Sequence, residues 1–297
     1  MNRMREWMIL VFMMGCTHSI QMGDTDRVGE TGAADTGSFT DTSETNEETE
    51  TDTEETDLPE DPCEGLLVCD DFESGESGKP PDAARWMIVA PDCQGDGVLE
   101  IDDSVSHSGS HSVKVTSSGG YCNHIFMTPV ADVSGLGPKV YGRFWMRFNQ
   151  SLDWSHITFL AMEDEREGKD LRMGGQSQVI MWNRESDDAT LPELSPTGIS
   201  MSWAPQVDQW SCIQFYVDEE QGYMETWVDE KRIEGLVLDD EPTPDVDAQW
   251  LRKPDWSPHL IDAKFGWEGY GGGFSQVWFD DVALGSVPIG CAIESDG

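Results

Sequence analysis

Positive charge is scarce in this chain: 18 Lys and Arg stand against 58 Asp and Glu, a formal net charge of −40 with the six histidines neutral. Phosphate binding rests on clustered cations, so the balance argues against nucleic acid as a partner. It also weakens the case for a polyanionic sugar unless the few cations gather in one cleft. Long apolar runs are missing too, the Trp7 to Met14 stretch being far too short to span a bilayer as a helix. No window carries an apolar stripe at helical spacing, and no short-period repeat supports a propeller or solenoid. No C-x-x-C occurs and no histidine sits near a cysteine pair at zinc-site spacing, which argues against a structural zinc. G-x-S-x-G, P-loop and H-E-x-x-H sequences are absent, and so, on any candidate strand after residue 62, is the E-x-D-x-x-E pattern of jelly-roll glucan hydrolases.

What is present begins with MNRMREWMILVFMMGC, in which Arg3 and Arg5 precede the apolar run. Residues 1–15 read as an export signal. Gly15-Cys16 resembles a bacterial lipobox, with Met13 where Leu is usual, so the expectation is cleavage before Cys16 and its lipidation. Thr17 is not the aspartate of an inner-membrane retention signal, which points to an outer-membrane or surface anchor. From 17 to 62 the chain holds 15 Asp or Glu, 11 Thr and a single Arg, too little apolar matter to offset its ordering entropy. Residues 16–62 are therefore expected to be a solvated tether, reaching roughly 35–40 Å as a flexible coil.

Residues 63–297 are long enough for one substantial core. Cys63, Cys69, Cys93, Cys122, Cys212 and Cys291 are an even set in an exported chain, which predicts three disulfides. The favoured pairs are Cys63–Cys69, Cys93–Cys122 and Cys212–Cys291. Alternating segments recur at 111–117, 139–149, 156–162, 177–183, 211–218, 223–229, 262–268 and 276–284, punctuated by Gly, Pro, Asn and Asp. The class is all-β, two packed antiparallel sheets in a sandwich or jelly roll.

The segment GPKVYGRFWMRFNQ at 137–150 shows the period of two most clearly. Val140, Gly142, Phe144, Met146 and Phe148 form a core face; Tyr141, Arg143, Trp145 and Arg147 form the other. Aromatics beside guanidiniums suit a saccharide's apolar faces and its hydroxyl or carboxylate edges, although a solvated strand braced by acids would look the same. Gln176, Gln178 and Trp182 share a parity on a second strand. The acidic run Glu163 to Glu167 ends an apolar strand and reads as a solvated turn. The glycine-rich 266–273 segment is either the lip of a groove or a tight turn.

The pieces CDDFESG at 69–75, SHSGSHSVKV at 106–115, YGRFWMRF at 141–148, LRMGGQ at 171–176, ETWVDEKRIEGL at 225–236, KFGWEGYG at 264–271 and WFDDVALGSVPIGC at 278–291 resemble the polysaccharide-lyase-like core of the fungal cellulose-induced protein and its bacterial relatives. That group is similar in fold to glucuronan and alginate lyases. The resemblance implies a concanavalin-like jelly roll and a structural calcium held by Glu73, Ser108, His111 and one of Asp280 or Asp281. His111 departs from the oxygen-bearing side chain expected there. The alternative for Asp280 and Asp281 is a turn and a capped strand end.

The resemblance also marks the 143–147 segment as a lyase wall. On a uronate, Arg143 would grip the carboxylate, His156 or Tyr270 would be the base, and Tyr270 or Tyr141 the acid, with Gln178 beside them. Tyr141, Trp145, Arg147, Gln176 and Trp182 would contact sugar. The alginate-lyase motifs Q-I-H and R-x-E-L-R are missing, and a lone His at a strand start also has a plain structural role. Two functions follow: a calcium-braced polysaccharide-binding module, which is preferred, and a β-eliminating lyase. A monomer touching the membrane only through its lipid is expected.

Overall fold

The computed structural model describes residues 63–91, 95–271, 273 and 275–292. The export signal, Cys16, the 16–62 tether and Cys93 lie outside the described residues. In chain order the strands are β1 Val68–Asp70, β2 Trp86–Val89, β3 Val98–Asp102, β4 Ser112–Ser117, β5 Ile125–Pro129, β6 Lys139–Phe148, β7 Ile157–Asp164, β8 Lys169–Gln176, β9 Val179–Arg184, β10 Ala189–Leu191, β11 Ser211–Asp218, β12 Tyr223–Val228, β13 Lys231–Arg232, β14 Lys264–Gly269 and β15 Ser275–Gly285. All eight expected segments are strands, with ends moved by a few residues. Among the described residues α-helix is confined to Pro196–Ser200, a single turn capped by the Ser195 side chain. None is long and apolar enough to cross a membrane.

The strands form two antiparallel sheets, consistent with the expected jelly roll. The first runs β13-β12-β11-β6-β15-β4-β3, with β1 also pairing β15; the second runs β10-β9-β8-β7-β14-β5-β2. Apart from the β3–β4, β7–β10 and β11–β13 runs, consecutive strands fall in different sheets, so the chain crosses between layers, and what it crosses around is the core. The predicted inward face of β6 lies there: Phe144 meets Phe265, Phe279 and Phe159 with ring centroids 5.5, 5.9 and 6.2 Å apart. Each such ring contributes about 1.5–3 kcal/mol by leaving water. Gly142 belongs to the same face because a Cβ there would stand 2.2 Å from the Phe215 ring.

Three bulges interrupt the alternation. They fall between Asp280 and Ala283 in β15, between Phe265 and Glu268 in β14, and between Thr158 and Leu160 in β7. A bulge re-aims side chains that strict alternation would send to the opposite face, and all three lie at the clusters considered below. Disulfides Cys63–Cys69 and Cys212–Cys291 match the expected pairs. Cys122 is exposed and carries no disulfide to a described residue.

Candidate functional site

The outward positions of the second sheet fall into rows. Arg172 of β8 pairs with Ala161 of β7 and Asn183 of β9, and Ala161 pairs with Lys264 of β14. Along the same face, Thr158 pairs with Gly174 and with Glu268. The ladder then closes at Gly175, Ile157 and Gly269. Gln176, His156 and Tyr270 follow immediately, and the Tyr270 N–H donates to the His156 carbonyl at 3.1 Å. The His156 ring stacks on Tyr270 at 5.6 Å and 12°. Tyr121, leading into β5, stacks with Tyr270 at 5.2 Å and meets His124 edge-on at 5.2 Å. Antiparallel register thus gathers His, Tyr, Arg and Glu from four strands.

Their electrostatics are set by burial and by one another. Arg172 Nη1 donates to the Tyr270 hydroxyl at 3.3 Å, and its Nη2 lies 3.0 Å from Glu185. Burial opposes the Arg172 charge, but Glu268 and Glu185 hold it firmly protonated. Burial, then Arg172, pushes His156 below the usual imidazole range, so the ring is neutral at pH 7. Burial and Glu268 push the Tyr270 phenol up. Glu268 is raised by burial despite Arg172 and the Tyr270 hydrogen bond. Lys264 Nζ sits 2.6 Å from Asp262 and 3.3 Å from Asp170.

Several buried polar atoms on this face have no hydrogen-bond partner among the described residues: both ring nitrogens of His124, Thr158 Oγ1, Arg172 Nε and Asn183 Oδ1. Each such atom costs about 1–3 kcal/mol. A groove of ≈ 710 Å³ runs from Met87 and Thr128 to Asp170, Asp262 and Lys264 on the same face. At the His156 end stand two exposed aromatics, Trp154 at 68% and Tyr270 at 48%. Together these make a polar trough with exposed aromatics at its His156 end, a form that suits a chain of sugars.

A second acidic cluster brackets the loop before β4. Glu73 Oε1 accepts from the Ser110 and His111 N–H groups at 2.8 and 2.7 Å, and Oε2 from the Ser110 hydroxyl at 2.8 Å. Gly109 is required there: its φ is +52° and a Cβ would lie 2.4 Å from the Glu73 carboxyl. On the loop's other side the β15 bulge, with Asp281 at φ 48°, turns two consecutive acids toward it. Asp280 accepts from His107 N–H at 2.7 Å; Asp281 accepts from the Ser108 hydroxyl at 2.8 Å and stands 2.7 Å from His107 Nδ1. Burial and the neighbouring Asp281 push Asp280 up to about 8. Among the described residues no three His, Cys, Asp or Glu side chains are grouped closely enough to hold a metal by themselves.

The family model for the polysaccharide-lyase-like, Cip1-like core domain matches residues 71–287. The chain belongs to this family. A solved structure of the cellulose-induced protein Cip1 is 40% identical, with a TM-score of 0.69, covering 76% of this chain and all of that one. An endo-β-1,4-glucuronan lyase from the fungus Trichoderma reesei is 14% identical, with a TM-score of 0.46, covering 71% of this chain and 94% of that one. No curated protein sequence matches the chain.

Within this Cip1-like core the residues expected to share one sugar-facing wall are scattered. His156 and Tyr270 stack at the end of the second-sheet trough, and Gln176 ends β8 one residue past the Gly175–Ile157 pair. Arg143 does not join them, because β6 belongs to the first sheet. It is 5% exposed, and burial depresses its pKa against the pull of Asp281 and Asp280. Trp145 is covered by His107, stacked at 3.5 Å. Arg147 pairs with Asp208 at 2.8 Å and lies 4.9 Å over Trp278. Tyr141 stacks on Tyr216 in a separate first-sheet groove.

Trp182 is fully buried between the sheets, donating to Thr226 Oγ1 at 2.8 Å. The parity that placed it beside Gln176 fails because Ser177 and Gln178 form a two-residue turn with φ of 54° and 70°. Gln178 is exposed on that turn. The acidic run is not wholly solvated either, since Asp164 is 3% exposed and accepts from the His259 and Arg166 N–H groups. Sequence reasoning missed Arg172, Glu268, His124 and Trp154. LRMGGQ and KFGWEGYG held two of them in view, as quoted motifs without roles.

Proposed function

We propose that the second-sheet trough binds polysaccharide. The observation that carries this reading is the gathering on one sheet face of Arg172, Glu268 and His156 beside the exposed rings of Trp154 and Tyr270. Trp154 and Tyr270 offer planar surfaces to pyranose rings, and Arg172, Gln176 and the nearby carboxylates offer partners to hydroxyls. Electrophoresis of the full chain through gels containing glucuronan, alginate or a neutral β-glucan tests it. At least one glycan should retard the parent, and Arg172→Ala or Trp154→Ala should weaken that retardation about tenfold, the order of a lost stacking or charged contact. A parent retarded by none of the three contradicts the reading.

The neutral His156 beside a charged Arg172 favours a second reading, β-elimination on a uronate. Arg172 would neutralise the sugar carboxylate as charge develops, His156 would take the proton from the carbon beside it, and the Tyr270 hydroxyl would protonate the departing oxygen. The C–O bond breaks as the C=C bond forms, with no outside oxidant or reductant. Unsaturated product absorbing in the ultraviolet should form with the parent and vanish with His156→Ala; absence of product on every uronate leaves binding alone.

The chain is also proposed to be an exported lipoprotein anchored through Cys16, with a calcium brace in the domain. Glu73, Ser108 and Asp281 supply hard oxygens of the kind calcium takes, His111 can add only its carbonyl, and a dication would relieve the crowding of Asp280 with Asp281. If Cys16→Ser leaves the membrane fraction unchanged, the anchor is refuted.

A further inference from the structure

The outward face of the first sheet carries its own groove, of ≈ 540 Å³. Register builds it: Tyr216 of β11 pairs with Tyr141 of β6 and Glu225 of β12, and Gln214 pairs with Trp227. Tyr141 and Tyr216 are stacked at 4.4 Å and 14°, and Tyr223 stands 5.8 Å from Tyr216. Alternation along β11 and β12 sends Phe215, Met224 and Val228 to the core and leaves these rings half-exposed. The C-terminal segment walls one side, where Gln214 Nε2 donates to the Ile289 carbonyl at 2.8 Å and Cys291 is bonded to Cys212.

The polar groups choose among ligands. The Tyr216 hydroxyl donates to Asp218 at 2.8 Å. Burial and Glu225 push the Tyr223 phenol up to about 12, so it stays a neutral donor. Glu225 also holds Arg232 at 2.8 Å, and Arg232 bonds Tyr223 as well, so that cation is taken up at the groove's edge, while Glu230 is exposed and carries its charge uncompensated toward the solvent. Rings that pack on apolar sugar faces thus stand beside carboxylates that accept hydroxyl protons and repel a uronate. We infer that this groove is a second glycan-binding surface, specific for a neutral hexopyranose or pentopyranose chain. It is separate from the second-sheet trough and does not rest on that trough's reading.

Calorimetric titration of the full chain tests it, using cellohexaose, mannohexaose and xylohexaose as neutral probes and a glucuronan hexasaccharide as the charged one. The protein carries Trp154→Ala and Arg172→Ala, so that binding in the trough is weakened and any binding that responds to the first-sheet substitutions is separate from it. At least one neutral probe should bind this background, and adding Trp227→Ala or Tyr216→Ala should raise its Kd at least tenfold in protein that still melts cooperatively. Trp227→Phe, which keeps a ring, should retain most of the affinity. The inference fails if no neutral probe binds, if Trp227→Ala and Tyr216→Ala leave Kd unchanged, or if the charged probe binds this face as tightly. It also fails if the groove covers itself, seen as a dimer in sedimentation that Trp227→Ala dissolves. Loss of retardation in the trough variants alone leaves these outcomes untouched, so the two sites can fail separately.

Discussion

Thr158 is fully buried and its hydroxyl makes no hydrogen bond among the described residues, so the side chain sustains a desolvation cost that a methyl would not. Thr158→Val should therefore raise stability by about 1 kcal/mol, seen as a higher melting temperature; a lower one would mean that the hydroxyl is satisfied after all. Glu268 gives a pH test. Burial raises its folded-state pKa above the unfolded value. Between those values the folded chain holds the extra proton, so stability falls as pH rises through that window and the whole penalty is present above it. Glu268→Gln should melt above the parent at neutral pH, with the gain fading as pH falls through the carboxylate range. A gain independent of pH would show that some other contact is responsible. Trp182 marks where residue-level reading failed: its parity with Gln176 was right by count and wrong in space, because the turn at Ser177 and Gln178 reset the alternation.

At the scale of elements, what was legible followed from alternation and from apolar runs. β6, β11 and β12 were expected because their apolar residues recur with period two against a more exposed set, and β7 and β15, nearly buried throughout, were expected despite their bulges. β8 was not, because KDLRMGGQ places Lys and Asp at its start and Gly174 and Gly175 near its end, all residues that otherwise mark turns. That omission hid Arg172, and with it the centre of the trough. The bulges hid the rest, since Glu268 and Asp281 reach their sites by breaking the rule used to find strands. The Cys63–Cys69 and Cys212–Cys291 pairs could be chosen because few exported cysteines were available. Their energetic weights differ: the first closes 6 residues and the second 79, about 2 against 4 kcal/mol in the chain-entropy picture. The double variant Cys212→Ala and Cys291→Ala should accordingly lose more melting temperature than Cys63→Ala with Cys69→Ala. The reverse order would mean that strain or residual denatured structure dominates.

For the whole molecule, membership of the Cip1-like family and the two-sheet fold agree with the sequence reading, whereas the residues expected on one wall are divided between the two sheets. A strand's outward face can be read from sequence; which of two sheets it joins cannot, because that depends on crossovers. The proposed calcium brace belongs to this scale, since Glu73 and Asp281 lie about two hundred residues apart in sequence and both bond the loop before β4. A ligand held only by the folded state stabilises it by mass action, so a chelator should lower the melting temperature by several degrees and added calcium should restore it. An unchanged melt would leave Glu73, Asp280 and Asp281 as a hydrogen-bonded brace. The central claim, that the outward face of the second sheet is the glycan site, is tested most directly by a crystal structure of the protein with an oligosaccharide of the glycan that retards it. The account predicts sugar rings along the trough between Trp154, Tyr270 and Lys264, with Arg172 Nε and a His124 ring nitrogen hydrogen-bonded to the ligand or its bridging water. Sugar found only on the first sheet, with the trough unchanged, would contradict it.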